Sequence, residues 1–242
     1  MKQTRIDDEN TNELYTVLPN VKKGVPDDRK ANIELYNEDN MTLMARYPDN
    51  YFDLAIVDPP YGIGAGSNNF KNGTSNNKTI DFRETDWDNE IPNKEYFDEL
   101  FRVSKNQIIW GGNYMTEYLP PKSCWLFWDK GTGDNSYADG ELAWTSFDGA
   151  MRKITKSWVG ANAKNGTKRI HPTEKPIYLY GWIINKYCKE GFKVLDTHLG
   201  SGSIALACDM YKVDLVACEI DEKYFNNAKK RLEVEQSQQS LF

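Results

Sequence analysis

The residues with the most chemistry in them stand together at the end of an apolar run. Phe52 to Val57 leads directly into Asp58-Pro59-Pro60-Tyr61. With proline at roughly 5% of ordinary composition, such a tetrapeptide arises by chance in about one chain in a thousand of this length. An amine on an aromatic ring delocalises its lone pair and is a poor nucleophile. A carboxylate that accepts a hydrogen bond from its N–H, with a backbone carbonyl taking the other, draws the nitrogen toward tetrahedral geometry. The lone pair can then attack a methyl group carried on a sulfonium. Asp58 is the candidate carboxylate and Pro59 the candidate carbonyl. Pro59 and Pro60 stiffen the turn, so the acceptors are preset. Tyr61 is the candidate plate for a base that has left its stack. The structural alternative is a strand-ending turn with an exposed tyrosine.

A second constellation lies far along the chain. Val194-Leu195-Asp196-Thr197-His198-Leu199-Gly200-Ser201-Gly202-Ser203 reads as a strand that ends in an acid, turns through two glycines and starts a helix. Glycines let the backbone approach a ligand and open the helix N-terminus to it. The next strand ends at Glu219-Ile220-Asp221, and an acid there can take both hydroxyls of a ribose. Glu219 lies 23 positions after Asp196, about the separation of a βαβ unit. Taken alone this signal is weak. Such turns occur in many α/β proteins, and the dinucleotide pattern GxGxxG is absent.

Both constellations need a scaffold that brings strand ends together. The chain has 242 residues, enough for one α/β domain and a real core. Residues 1–30 are polar and read as an arm. From Ile33 a strand–helix rhythm begins: a strand at 33–36, a short helix at 40–47, and the apolar strand at 52–57. An amphipathic helix is expected over 93–105 and a strand over 107–110. Aromatic-rich strands over 124–128 and 142–147 are separated by a glycine-rich turn, which implies an antiparallel pair. A helix is expected to open at Lys175-Pro176 and end near Gly191. Then come a strand (192–195), a helix (200–210), a strand (213–218) and a last helix capped by Asp221, with Phe225, Ala228 and Leu232 inward. Alternating elements imply a doubly wound, mostly parallel sheet with helices on both faces and one antiparallel strand pair. Residues 62–79, rich in Gly and Asn, have no periodicity and read as a mobile loop beside the first site.

Composition narrows the classes. The four cysteines, Cys124, Cys188, Cys208 and Cys218, form no CxxC pair and no zinc spacing, so reduced buried thiols and no metal are expected. The N-terminus has no apolar run, and no stretch is long and apolar enough to span a bilayer, which points to a cytoplasmic chain. The net charge is -6, yet seven basic residues fall between Met151 and Lys175 against one acid, Glu174. Arg152, Lys153, Lys156, Lys164, Lys168 and Arg169 are therefore candidates for contacts to nucleic-acid phosphates. A solvated loop face is the alternative.

The order and content of these segments resemble the DNA amino-methyltransferases in their permuted, so-called beta arrangement, in which DPPY precedes the glycine turn. His171-Pro172-Thr173-Glu174-Lys175-Pro176 resembles the family's HPTxKP segment. The resemblance implies a Rossmann-like methyltransferase fold, S-adenosylmethionine as cofactor and DNA as partner. Carried over, Pro172 and Lys175 would help hold the methionine part, and Asp39 would lie near the adenine. Asp58, Asp196, Thr197, His198, Gly200, Gly202, Ser203, Glu219 and Ile220 would line the remainder of the cofactor. The family usually has Pro-Phe where this chain has Thr197-His198, so His198 is expected to pack rather than catalyse. The DPPY form leans toward N6 of adenine over N4 of cytosine. The short interval between DPPY and HPTxKP suggests specificity that is short or shared with a partner chain, and by analogy a homodimer. An RNA amino-methyltransferase, a non-catalytic nucleic-acid-binding subunit on the same fold, and a nucleotide-dependent oxidoreductase are the competing readings. The last of these leaves DPPY and HPTxKP without a purpose.

Overall fold

The computed structural model describes residues 29–64, 88–131, 138–155 and 174–239. Strands β1 (Ile33–Tyr36), β2 (Leu54–Val57), β3 (Gln107–Trp110), β4 (Leu126–Asp129), β5 (Gly140–Thr145), β6 (Arg152–Thr155), β7 (Lys193–Asp196) and β8 (Asp214–Cys218) form one sheet. Their order is β1-β8-β7-β2-β3-β5-β4-β6. Among the described residues only β5 runs against its neighbours, pairing antiparallel with both β3 and β4. The other pairings are parallel.

The helices are α1 (Asn40–Met44), α2 (Lys94–Val103), α3 (Ile177–Tyr187), α4 (Ser203–Tyr211) and α5 (Glu222–Gln239). Side chains of a strand alternate between faces, and the central strands are apolar on both. Leu54 and Ile56 of β2 pack in a core with α3, α4 and the buried Ala228 and Leu232 of α5. Ala55 and Val57, one residue out of phase, pack in a second core with Leu43 and Met44 of α1 and with Tyr96, Phe97 and Leu100 of α2. A strand buried on both sides must read as a continuous apolar run, which is what β2 shows.

Local signals account for most helix ends. Asp39 caps α1 by accepting the Met41 and Thr42 amides, Asn93 caps α2 through the Tyr96 amide, and Asp221 Oδ1 accepts the Tyr224 amide at 2.9 Å. Elsewhere the boundaries shift. The helix expected from Gly200 starts at Ser203, because Gly200 and Gly202 have φ of 51° and 77°, outside the right-handed helical region. Pro176 is the N-cap of α3 rather than part of its first turn, with ψ 146°. That helix stops at Tyr187 with Cys188 extended, so Gly191 belongs to the following turn. The strands expected over 124–128 and 142–147 lie at β4 and β5, in register Phe127↔Leu142 and Trp128↔Glu141. The helix expected over 40–47 ends at Met44.

The four cysteines are buried thiols outside any disulfide. No helix among the described residues is long and apolar enough to cross a membrane. Residues 1–28 of the expected arm and 65–79 of the expected loop lie outside the described residues.

Candidate active site

Because β1, β8, β7 and β2 are parallel neighbours, their carboxyl ends share one edge of the sheet. The chain crosses from β2 to β3 on one side and returns to β7 on the other, so the edge between β2 and β7 is the switch point where α/β sheets hold ligands. A cleft of about 400 Å3 opens there, within the usual size of a small-molecule site. It is bounded by Asp39 and Asn40 after β1, Asp58 and Pro60 after β2, Thr197 to Ser201 after β7, Glu219 to Asp221 after β8, and Lys175 and Tyr180 from the start of α3. The two constellations read from sequence thus face one space.

The glycine turn is fixed mainly by backbone donors. Glu219 Oε2 accepts the Gly200 amide at 2.8 Å, and its Oε1 accepts the Asp221 amide at 3.0 Å. Burial raises the Glu219 pKa, and these amides oppose the shift. Both oxygens keep lone pairs for further donors. Asp196 is buried and does not border the cleft; it accepts the His198 amide at 3.0 Å. Burial pushes its pKa up to about 8 against that hydrogen bond. Thr197 Oγ1 bonds the Tyr96 hydroxyl at 2.7 Å and His198 Nδ1 at 2.9 Å. Asn40 bonds His198 Nε2 at 3.2 Å, and the ring meets Tyr96 edge-on. His198 is therefore a packed group, and burial holds its pKa down to about 4.

Gly202 and Ser203 lie behind the cleft. A Cβ on Gly202 would stand 2.8 Å from the Ala228 Cβ, so this glycine serves the approach of α5. The Ser203 hydroxyl bonds Ser201 and Arg231, at 3.1 Å each. Arg231 also donates to the Ser201 carbonyl and pairs with Glu174, each at 3.1 Å. This clamp joins the last helix, the glycine turn and the segment before α3.

At the β2 end the chemistry is charged. Lys175 Nζ lies 2.5 Å from Asp58 Oδ2 and 3.1 Å from Glu141 Oε2, with its side chain 2% exposed. The Tyr61 hydroxyl donates to Asp58 Oδ1 at 2.7 Å and accepts from Lys175 at 3.0 Å. Burial pushes the Asp58 pKa up, the Lys175 ammonium pulls it back, and the Glu141 charge adds to the rise. Burial alone would discharge Lys175, but Asp58 and Glu141 outweigh it and raise its pKa. Burial also opposes the Glu141 charge, yet Lys175 and Lys130 hold it down at about 2. Pro59 is buried. The Tyr61 ring stacks on Tyr114 with centroids 5.3 Å apart. Asp88 Oδ1 accepts the Tyr61 and Gly62 amides and so sets the turn.

Of the residues singled out in the sequence, Asp39, Asp58, Pro60, Lys175, Thr197, His198, Gly200, Glu219 and Ile220 border the cleft. Lys175 borders the cleft with its ammonium paired to Asp58 and Glu141, the nearest counter-charges in a buried setting. Arg152 and Lys153 lie on β6 at the far edge of the sheet, exposed, with Lys153 3.0 Å from Asp129. Pro172, Lys156, Lys164, Lys168 and Arg169 lie outside the described residues. Sequence reading missed Glu141, Tyr96, Asn40 and Arg231. The only hint of Glu141 was an acid next to the apolar run Leu142-Ala143-Trp144.

The comparisons agree with this geometry. A family profile described as DNA methylase, of the N6/N4 type, matches residues 134–230. The Type II methyltransferase M.HpaI of Haemophilus parainfluenzae is 25% identical over 229 residues, spanning 77% of this chain and 70% of the relative. Among solved structures, an M1.HpyAVI–SAM complex superposes with a TM-score of 0.53 at 22% identity, covering 83% of this chain and 100% of that one. The cytosine-N4-specific PvuII DNA methyltransferase gives 0.52 at 13% identity, covering 84% of this chain and 87% of that one. These two share the Rossmann-like fold. Profile and relative thus liken the chain to DNA methyltransferases of the N6/N4 type, and the solved structures agree in fold.

Proposed function

We propose that this chain transfers a methyl group from S-adenosylmethionine to N6 of adenine in DNA. The observation that carries the reading is that Asp58 and the Glu219–Gly200 turn, on separate strands, border one cleft. The residues suit the cofactor: Glu219 retains lone pairs for two ribose hydroxyls, Asp39 and Ile220 stand at the outer lip, and the cleft is large enough.

S-adenosylmethionine supplies an electrophilic sulfonium methyl: the amine lone pair forms the new N–C bond, the C–S pair stays on sulfur as a thioether, and one amine proton leaves. The chain's own part is to prepare that amine. Asp58 accepts one N–H and is the first stop for the departing proton. Pro59, fixed by its ring and by Pro60, offers its carbonyl to the other N–H. The Tyr61 ring gives the extruded base a face, with Gly111 leaving room for it. A Cβ on Gly111 would stand 2.2 Å from the Tyr61 ring. Asp196, Gly202 and Ser203 act from behind by shaping the turn. Arg152 and Lys153, continuing into the basic segment, contact phosphates. Residues 31–242 act as a single methyltransferase domain, and a second copy or a specificity partner supplies recognition that the short central interval lacks.

Adenine is favoured over cytosine because the tetrapeptide begins with Asp rather than Ser. The test is methyl transfer to duplexes whose strands offer only adenine or only cytosine amines, with the modified base identified by mass spectrometry. N6-methyladenine alone supports the proposal. N4-methylcytosine alone moves the assignment to the other branch of the family, and methylation of RNA in preference to either duplex replaces DNA as substrate.

A further inference from the structure

Both oxygens of Asp58 already have protein partners: Tyr61 on Oδ1 and Lys175 on Oδ2. A substrate amine that approaches Asp58 therefore competes with a buried ammonium. Moving that ammonium into apolar surroundings would strand a charge, which is costly. Glu141 changes this. It stands on β5, and its Oε2 lies 3.1 Å from Lys175 Nζ and 3.4 Å from the Tyr61 hydroxyl. Its other oxygen is held by Lys130 at 2.5 Å. Asp58, Lys175, Glu141 and Lys130 thus form a row of alternating charges. We propose that Glu141 is a positioning residue: it shares the Lys175 ammonium with Asp58, so the ammonium can shift toward Glu141 and open an Asp58 oxygen to the substrate amine.

The surroundings permit such a shift. The Lys175 ammonium lies 5.2 Å from the Trp110 ring centroid and 5.5 Å from that of Tyr61, so aromatic faces flank it without binding it at one point. The short contact to Asp58 and the longer one to Glu141 describe a cation with a second partner already in reach. The groups that face Asp58 are Lys175, Glu141, Tyr61, Tyr180 of α3 and Asp196 of β7. Of these, Lys175 and Glu141 form an ion pair with each other, and the Tyr61 hydroxyl lies within reach of both. Lys130 sets how much of the Glu141 charge Lys175 feels.

This rests on the reading of Asp58 as the amine's acceptor, and the test separates the two. Single-turnover methylation is measured against pH for wild type, Glu141→Gln and Lys130→Gln, with S-adenosylhomocysteine affinity measured in parallel. Glu141→Gln removes a negative neighbour of Asp58 and leaves Lys175 fixed on it. Its plateau rate should fall roughly tenfold, the scale of one hydrogen bond to a charged group. Its acid limb should move to lower pH, with affinity unchanged. Lys130→Gln leaves the Glu141 charge less countered, so its acid limb should move to higher pH. Opposite shifts support the proposal, since a merely structural role would not reverse sign. Acid limbs that stay put or move together overturn it while wild-type turnover keeps Asp58 in its role. A wild type without methyl transfer removes both readings. If Glu141→Gln loses affinity through misfolding, Lys130→Gln decides alone: an upward shift supports the proposal and an unmoved limb overturns it.

Discussion

The two halves of the cleft solve different problems with different materials. At the ends of β7 and β8 the wall is made of backbone amides, a carboxylate that organises them, and neutral side chains held by one another. At the end of β2 it is a buried cluster of full charges, with Lys175 between Asp58 and Glu141. The first half is shaped to hold a molecule. The second is balanced so that a carboxylate stays available in a site where burial alone would protonate it. On the proposed reading, binding and chemistry sit on adjacent strands and should fail separately.

The sharpest way to break that contrast is Asp58→Ala. Turnover should fall roughly a thousandfold, the upper range for losing one preorganised polar group, while S-adenosylhomocysteine affinity stays within a few-fold by titration calorimetry. Equal loss of both would merge the halves. Next in size is Gly111→Ala. Its Cβ would meet the Tyr61 ring, and φ of 67° strains any side chain there. A ring displaced by about 1 Å would slow transfer by roughly a hundredfold, again at constant cofactor affinity. Unchanged turnover would show that the Tyr61 position is not set by this contact.

Glu219→Ala tests the other half. Losing charged hydrogen bonds should weaken cofactor affinity by about tenfold to a hundredfold with little change in the rate at saturating cofactor. An unaltered affinity would remove Glu219 from the ribose. The smallest effect is expected at His198. Its pKa is about 4 in the folded chain against about 6.5 unfolded, so the stability it contributes is present above about pH 6.5 and is lost as pH falls toward 4. Asp196, raised to about 8, acts in the opposite sense over the same range, so the difference between variant and wild type is the readout. His198→Phe should flatten the fall in thermal midpoint between about pH 6.5 and 4.5 by a few degrees. Parallel curves would mean that the imidazole titrates alike in both states.

Much of this molecule was legible along the chain. The uninterrupted apolar run before Asp58 required a strand buried on both faces, and β2 is one. The caps Asp39, Asn93 and Asp221 are local devices and could be read locally. Boundaries were less secure where a remote contact chose them. The start of α4 waits until the second glycine has let α5 close over it, and Pro176 stays extended next to a lysine tied to two other strands.

The sequence by itself determined the alternation of elements, the two strand-end constellations, and the type of chemistry that Asp58, Pro59 and Glu219 could support, because each of these depends on neighbours within a few residues. Only the tertiary structure decided the partners. Lys175 lies 117 positions from Asp58, and Glu141 stands on β5, which runs against β3 and β4. Charges find each other through space and burial, not through spacing along the chain. The ion-pair row could therefore appear only once β5 had been laid beside β3.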